Sequence, residues 1–459
     1  MTGAGPRGRG RLVRAAVGML VTVLLAAGCT VAGGRQSAPL RPAAGSASPD
    51  PRPGDLNGDG YDDFAAVLAD RSVTVVYGSR HGLDPRRRTV ARTSPPPTTS
   101  RQRAQSGQIQ LFRADLDDDG FTDLIHAPEF GGPSVLWGGP RGVSGLRRLT
   151  GAPKSPAAVG DFDGDGHTDL FFPGEDRGPE GTVWFGPVRR GAVPARTQAL
   201  TNGHRMETVP VHVLSGDFDG DGATDLALWF RWTDPGMESD GGYRRIDARH
   251  YLRGGPRGLK LTERLGPTDE IVGLAGEAGD LNGDGIDDLY AAGLSVRRAG
   301  TGVGYWLSTR AGPQTGTEDG LRDAPEPGSE NAPAYGGVDG TALGDVTGDG
   351  RPDFVGSSGG GTDGGGAIWL MPDVLGGLAG DMRTVTLDSP GVPDGGRSRD
   401  PFAVTGPLLD TDGDGHLDVV FAAYGDKNGQ RRIPEAFWVL RGTDAGMSYQ
   451  RYFPARELG

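Results

Sequence analysis

One nine-residue phrase, written seven times, limits what this chain can become. In register the copies are DLNGDGYDD from Asp55, DLDDDGFTD from Asp115, DFDGDGHTD from Asp161, DFDGDGATD from Asp217, DLNGDGIDD from Asp280, DVTGDGRPD from Asp345 and DTDGDGHLD from Asp410. Their starts lie 60, 46, 56, 63, 65 and 65 residues apart. A chain of 459 residues would otherwise suggest two or three domains, but a sustained period overrides that prior and predicts a repeat architecture.

The spacing D-x-[D/N/T]-x-D-G-x-x-D has a chemical purpose. Acidic side chains this dense repel one another unless a cation sits among them. Alternate residues turn oxygens to one point, and glycine at position 6 allows the sharp turn that brings later oxygens to the same point. The predicted ligands at position 1 are Asp55, Asp115, Asp161, Asp217, Asp280, Asp345 and Asp410. Position 3 holds Asn57, Asp117, Asp163, Asp219, Asn282, Thr347 and Asp412, so the sixth loop is the weakest. Position 5 holds Asp59, Asp119, Asp165, Asp221, Asp284, Asp349 and Asp414. Position 7 contributes a backbone carbonyl from Tyr61, Phe121, His167, Ala223, Ile286, Arg351 and His416, and the two histidine side chains are expected to point to solvent. Position 9 holds Asp63, Asp123, Asp169, Asp225, Asp288, Asp353 and Asp418. An all-oxygen set in a flexible loop predicts up to seven structural Ca2+ ions rather than zinc or Mg2+.

An EF-hand shares this opening but needs Glu at position 12 and flanking helices. Position 12 here is Ala66, His126, Phe172, Leu228, Ala291, Gly356 and Phe421. The loops run instead into short apolar segments such as FAAVLA, LALWF and VVFAAYG, which read as buried strands. A further strand recurs in VTVVYGS, SVLWGG, GTVWFG, RHYLRGG, VGYWLS, AIWLMP and AFWVLRG, and carries Trp137, Trp184, Trp306, Trp369 and Trp438. These tryptophans fit packing within the units better than a carbohydrate-stacking row. Strands ahead of the loops (QIQLF, VHVL, FAVTG) and outer ones (RRRTV, RRLTG) complete four per unit. The expected fold is all-β, a seven-bladed β-propeller.

These residues resemble the FG-GAP repeats of integrin alpha chains and the related VCBS-type repeats of bacterial surface proteins. The resemblance spans residues 53–459 and rests on the loops; of the Gly-Ala-Pro signature only remnants such as His126-Ala127-Pro128 survive. The first unit has no evident strand ahead of Asp55, so the C-terminal segment around SYQRYFPA is expected to help close the ring. By the integrin resemblance, the calcium loops share one face and ligands meet the other.

The sole cysteine, Cys29, excludes an internal disulfide and a Cys-based zinc site. Arg7, Arg9, Arg11 and Arg14 precede an apolar run from Ala15 to Ala27, and Ala27-Gly28-Cys29 offers a cut site. The segment resembles a bacterial lipoprotein signal, with Ala26 where Leu is usual. That predicts a signal peptide over 1–28, lipidation of Cys29, a Pro/Ala/Ser/Gly tether over 29–52 and a folded region outside the cytoplasmic membrane. The formal charge of -13 disfavours a nucleic-acid partner. Removing residues 1–28 takes away four Arg and no acid, leaving -17, and seven Ca2+ would bring this to -3. Most of the acidity is thus the charge of the loops themselves.

The expected function is a membrane-anchored module that binds an extracellular protein or glycan. Two long segments, Trp232–His250 and Gly312–Gly340, are candidate contact loops or tolerated insertions. The alternative is a polysaccharide lyase or hydrolase on the same scaffold. No serine elbow, HExxH or P-loop occurs, and GSSGGGTDGGG from Gly356 lacks the lysine of a phosphate cradle.

Overall fold

The expected alternation of short apolar runs and turns is realised as antiparallel meanders. The computed structural model describes residues 53–92, 109–128, 132–174, 181–200, 210–232, 245–264, 271–295, 300–310, 312–313, 338–358, 367–372, 375, 383–393, 402–404, 406–425 and 433–459. Signal, Cys29 and tether lie outside these residues, as do 233–244 and 314–337 of the two long segments. The described ends of those segments are strands rather than loops, with Arg245–His250 inside β14 and Gly312–Pro313 forming β20.

The first sheet contains β1 (Phe64–Val67), β2 (Val73–Val76) and β3 (Arg88–Ala91). The second contains β4 (Ile109–Ala114), β5 (Asp123–Pro128), β6 (Ser134–Leu136) and β7 (Arg147–Arg148). In the third are β8 (Ala158–Gly160), β9 (Asp169–Pro173), β10 (Gly181–Phe185) and β11 (Arg196–Leu200). The fourth has β12 (Pro210–Gly216), β13 (Asp225–Trp232), β14 (Arg245–Arg253) and β15 (Lys260–Arg264). The fifth has β16 (Ile271–Gly279), β17 (Asp288–Ser295) and β18 (Gly300–Trp306), followed by a ribbon of β19 (Ser308–Thr309) and β20 (Gly312–Pro313). The sixth has β21 (Val338–Gly344), β22 (Asp353–Ser358), β23 (Ala367–Met371) and β24 (Arg383–Thr386). The seventh has β25 (Phe402–Val404), β26 (Val419–Gly425), β27 (Ile433–Arg441) and β28 (Ser448–Pro454), followed by a 3-10 turn. Every pairing is between strands adjacent in sequence, and the described residues contain no α-helix.

Register explains where the acidic phrases fall. In the second to sixth sheets the residue before position 1 pairs with position 9: Ala114 with Asp123, Gly160 with Asp169, Gly216 with Asp225, Gly279 with Asp288 and Gly344 with Asp353. In these five sheets the phrase is therefore the hairpin connection between the first and second strands.

Except between the fifth and sixth, each sheet is packed on its successor through a cluster of buried apolar side chains. Leu56, Val73 and Val75 meet Leu124 and Leu136 between the first two sheets. Leu116 and Trp137 meet Leu170 and Trp184 in the next seam, and Phe162 and Phe185 meet Leu226 and Leu252 in the one after. Phe218 and Tyr251 meet Leu289, and Val346 and Ile368 meet Val419 and Leu440. The seventh sheet in turn packs on the first, where Val420, Phe437 and Phe453 meet Phe64 and Val76. Position 2 of the phrase (Leu56, Leu116, Phe162, Phe218, Val346) is fully buried in five of these seams. Burying such a side chain contributes about 1.5–3 kcal/mol, so each loop is anchored in its seam.

Trp137, Trp184, Trp369 and Trp438 are buried, as the packing reading requires. Trp438 stacks on Phe421 with centroids 5.3 Å apart and rings 7° from parallel. The side chain of Trp306 lies outside the described residues. No described strand precedes Asp55, and SYQRYFP does not supply one; it forms β28, the outer strand of the seventh sheet. The residues after it reach the first sheet, with Leu458 fully buried beside Phe64 and its carbonyl accepting from Arg88 Nε at 3.1 Å.

The seam between the fifth and sixth sheets carries an ionisable group. Glu277 on β16 accepts a 2.8 Å hydrogen bond from the Thr341 hydroxyl on β21. Burial pushes its carboxyl up to about 7 from an ordinary 4.5, against that hydrogen bond. The folded chain thus keeps a proton that the unfolded chain has lost. The stability this group contributes is complete below pH 4.5 and declines as pH rises through about 7. Glu277→Gln, which still accepts from Thr341, is expected to stabilise the chain on the order of 1 kcal/mol at about pH 8 and hardly at all at about pH 4. Paired thermal melts measure the difference.

Candidate metal centres

The loops hold their shape through hydrogen bonds that recur at every copy. At position 1, one carboxylate oxygen accepts the N–H of position 5, and the other accepts the N–H of the position 6 glycine at 2.7–3.3 Å. Position 5 accepts the N–H of position 7 at 2.9–3.2 Å. The turn places positions 4 and 6 at positive φ, which glycine adopts without strain; Asp118, at φ 61°, stands where the other six loops have glycine.

Position 9 is the deepest member of the set. Asp63, Asp123, Asp169, Asp225, Asp288, Asp353 and Asp418 are each 0% exposed. In every copy Oδ2 accepts the N–H of position 2, at 2.9–3.3 Å. In six copies Oδ1 accepts a second N–H, from Gly78, Gly138, Gly186, Gly254, Ser308 or Gly442, beyond the third strand of the same sheet or, in the first, beyond β2. Burial still pushes these carboxyls up, to about 8 for Asp123 and about 7 for Asp63, Asp169, Asp225, Asp288 and Asp418. A bound cation favours their ionised form.

Asp115, Asp117 and Asp123 converge, as do Asp161, Asp163 and Asp169, then Asp217, Asp219 and Asp225, and finally Asp410, Asp412 and Asp414. In each cluster the ligand oxygens lie within 4.8 Å of one another. Such clusters of oxygens could hold a cation, and position 3 offers it an atom. Oδ1 of Asp117, Asp163, Asp219 and Asp412 is buried without a hydrogen-bond partner, on side chains only 9%, 5%, 1% and 6% exposed. Oγ1 of Thr347 is likewise buried and unpartnered, so the sixth loop also presents an oxygen at position 3. A buried unsatisfied oxygen is costly, and one recurring at the same loop position is free to serve as a ligand atom. Asn57 and Asn282 cap their own loops, accepting from the N–H of Asp59 and Asp284.

The loops are also joined to each other. Position 8 of one loop donates its N–H to the position 1 carbonyl of the loop before it: Thr224 to Asp161, Asp287 to Asp217 and Leu417 to Asp345, at 2.6–3.0 Å. The same bond runs from Asp62 of the first loop to Asp410 of the last, at 3.0 Å, and Asp62 Oδ2 accepts from the Asp410 N–H at 2.9 Å. Position 7 side chains cover the position 4 glycine of the preceding loop, Phe121 over Gly58, Ile286 over Gly220, His416 over Gly348 and Tyr61 over Gly413. The two histidines therefore do not simply point to solvent. His416 Nε2 bonds Asp444 Oδ1 at 2.8 Å, which with the nearby Asp414 raises its pKa, and His167 Nδ1 lies 3.6 Å from Asp118 Oδ2.

Two features escape sequence reasoning. The pairs YG, WG, FG and RG end on glycines that face the position 8 carbonyl, and a Cβ on Gly138 would collide with the carbonyls of Thr122 and Leu56. Gly138→Ala is expected to cost about 2–3 kcal/mol in urea unfolding. The second feature is arginine. Arg190 pairs with Asp117 and Asp119, Arg196 with Asp163, Arg253 with Asp219 and Asp221, and Arg441 with Asp412 and Asp414. Their only sequence signal is the dominance of Arg over Lys, found just at 154, 260 and 427.

No protein-family model and no curated protein matches the chain. Among solved structures it is similar to a rhamnogalacturonan lyase of Bacillus licheniformis, at 13% identity and a TM-score of 0.29, over 70% of this chain and 67% of that one. Among the described residues no helix is long and apolar enough to cross a membrane.

Proposed function

We propose that the seven acidic hairpins are Ca2+ loops of a closed, seven-bladed propeller of the FG-GAP/VCBS type. Lipidated Cys29 tethers it outside the cytoplasmic membrane, and the propeller serves as an interaction module for an extracellular protein or glycan. The observation that carries the cation reading is the unpartnered, buried position 3 oxygen in loops two, three, four, six and seven. Carboxylates at positions 1, 3, 5 and 9 with the position 7 carbonyl form the hard, all-oxygen set that calcium prefers. Ring closure is supported by the packing of the seventh sheet on the first, and by the Asp62–Asp410 bond, which repeats the contact made between consecutive loops. The calcium supplies charge balance and rigidity, and among the described residues the acidic groups that converge in threes are those of the loops.

The test is retention of the full chain on extracellular glycans and surface proteins, with Ca2+ and with EGTA, alongside mass analysis of Cys29. Calcium-dependent retention by a chain lipidated at Cys29 is expected. Retention indifferent to EGTA, or an unmodified Cys29 in a soluble chain, would contradict the reading, and polysaccharide cleavage would replace the module with an enzyme.

A further inference from the structure

Aspartate at position 3 is matched by arginine. Loops two, three, four and seven carry Asp117, Asp163, Asp219 and Asp412, and Arg190, Arg196, Arg253 and Arg441 pair with Oδ2 of each in turn. Loops one, five and six carry Asn57, Asn282 and Thr347, and among the described residues no arginine pairs with these three. Arg87 and Arg351 lie instead beside the more exposed position 5 carboxylates, Asp59 at 3.7 Å and Asp349 at 2.9 Å. In all four matched loops Oδ1 of the same aspartate stays buried and unpartnered.

Resting on the cation reading above, we infer that these four arginines set the cation affinity of their loops. Each guanidinium holds Oδ2, so that position 3 offers the ion a single oxygen. Each also cancels the charge of the fourth carboxylate, leaving a formal charge of -3, the value of the three ligand carboxylates of loop five. The arginines are positioning residues with an electrostatic cost to binding. Placed on the far side of a ligand carboxylate, a positive charge repels a divalent ion. Its removal at about 5–6 Å in a nearly aqueous dielectric corresponds to roughly tenfold tighter binding.

The test is calorimetric titration of the full chain with Ca2+, comparing the parent with Arg253→Gln/Arg441→Gln. Glutamine still donates to Oδ2 but carries no charge. A class of two sites binding about tenfold tighter than the remainder is expected. Arg253→Lys/Arg441→Lys restores the charge and is expected to return those sites to parental affinity, with circular dichroism checking the fold of both. A purely structural role would loosen binding in the glutamine variant, so unchanged or weaker affinity in a folded chain overturns the inference. Failure of the parent to bind Ca2+ overturns instead the cation reading on which it rests.

Discussion

Excess EGTA is expected to lower the melting temperature of the chain by about 10–15 °C, with Ca2+ restoring it where Mg2+ does not. The size follows from linkage. Extracellular calcium modules bind with Kd of about 10⁻⁴–10⁻³ M, so at about 1 mM free ion and a Kd near 0.1 mM each site contributes about 1.4 kcal/mol. Seven independent sites give on the order of 10 kcal/mol, comparable with the net stability of an ordinary domain. Coupling should make the transition steep, because five loops carry a buried position 2 residue in a seam between sheets, and four pairs of neighbouring loops share a backbone bond. Differential scanning calorimetry with and without chelator reads this directly; an unchanged melt would remove the structural role of the metal.

Asp123→Ala has the second largest effect, and its dependence on calcium separates two roles of one side chain. Asp123 is fully buried and accepts from the Leu116 N–H at 3.0 Å and the Gly138 N–H at 2.8 Å. Truncation strands two buried donors at about 1–3 kcal/mol each, so a loss of about 2–6 kcal/mol is expected, present even in EGTA. In Ca2+ the loss grows by the contribution of the vacated site. Asp119→Ala, by contrast, removes the exposed position 5 carboxylate and is expected to cost about 1–1.5 kcal/mol in Ca2+ and little in EGTA. Urea unfolding of both variants in both conditions measures the four values. Equal losses for Asp123→Ala and Asp119→Ala in EGTA would contradict the assignment of position 9 as the internal staple.

What could be read beforehand was local. The strand after each loop follows from runs such as LFFPG and VVFAAYG, and the loop geometry follows from alternating oxygens and glycine at position 6. Contacts between loops were not legible, because they join residues far apart in sequence. Nothing in Asp62 marks it as the partner of Asp410, and nothing in His416 indicates that it lies over Gly348. The same distance hid the arginines: Arg190 reaches Asp117 from the neighbouring sheet, and only the fold brings the two together. The glycines after Trp137 and Phe185 were visible, but their reason, close approach to the position 8 carbonyl of the acidic loop, was not. SYQRYFP shows the complementary limit. It was expected to help close the ring, while its place as a strand of the seventh sheet rather than the first depends on pairing with β27.

The central claim is that a divalent cation occupies each acidic hairpin. Native mass spectrometry of the full chain, equilibrated with calcium and then stripped of loose ions, counts them. Six or seven Ca2+ per chain, the range set by Thr347 in the sixth loop and all released by EGTA, is the predicted result. A chain that retains no calcium under those conditions would contradict it.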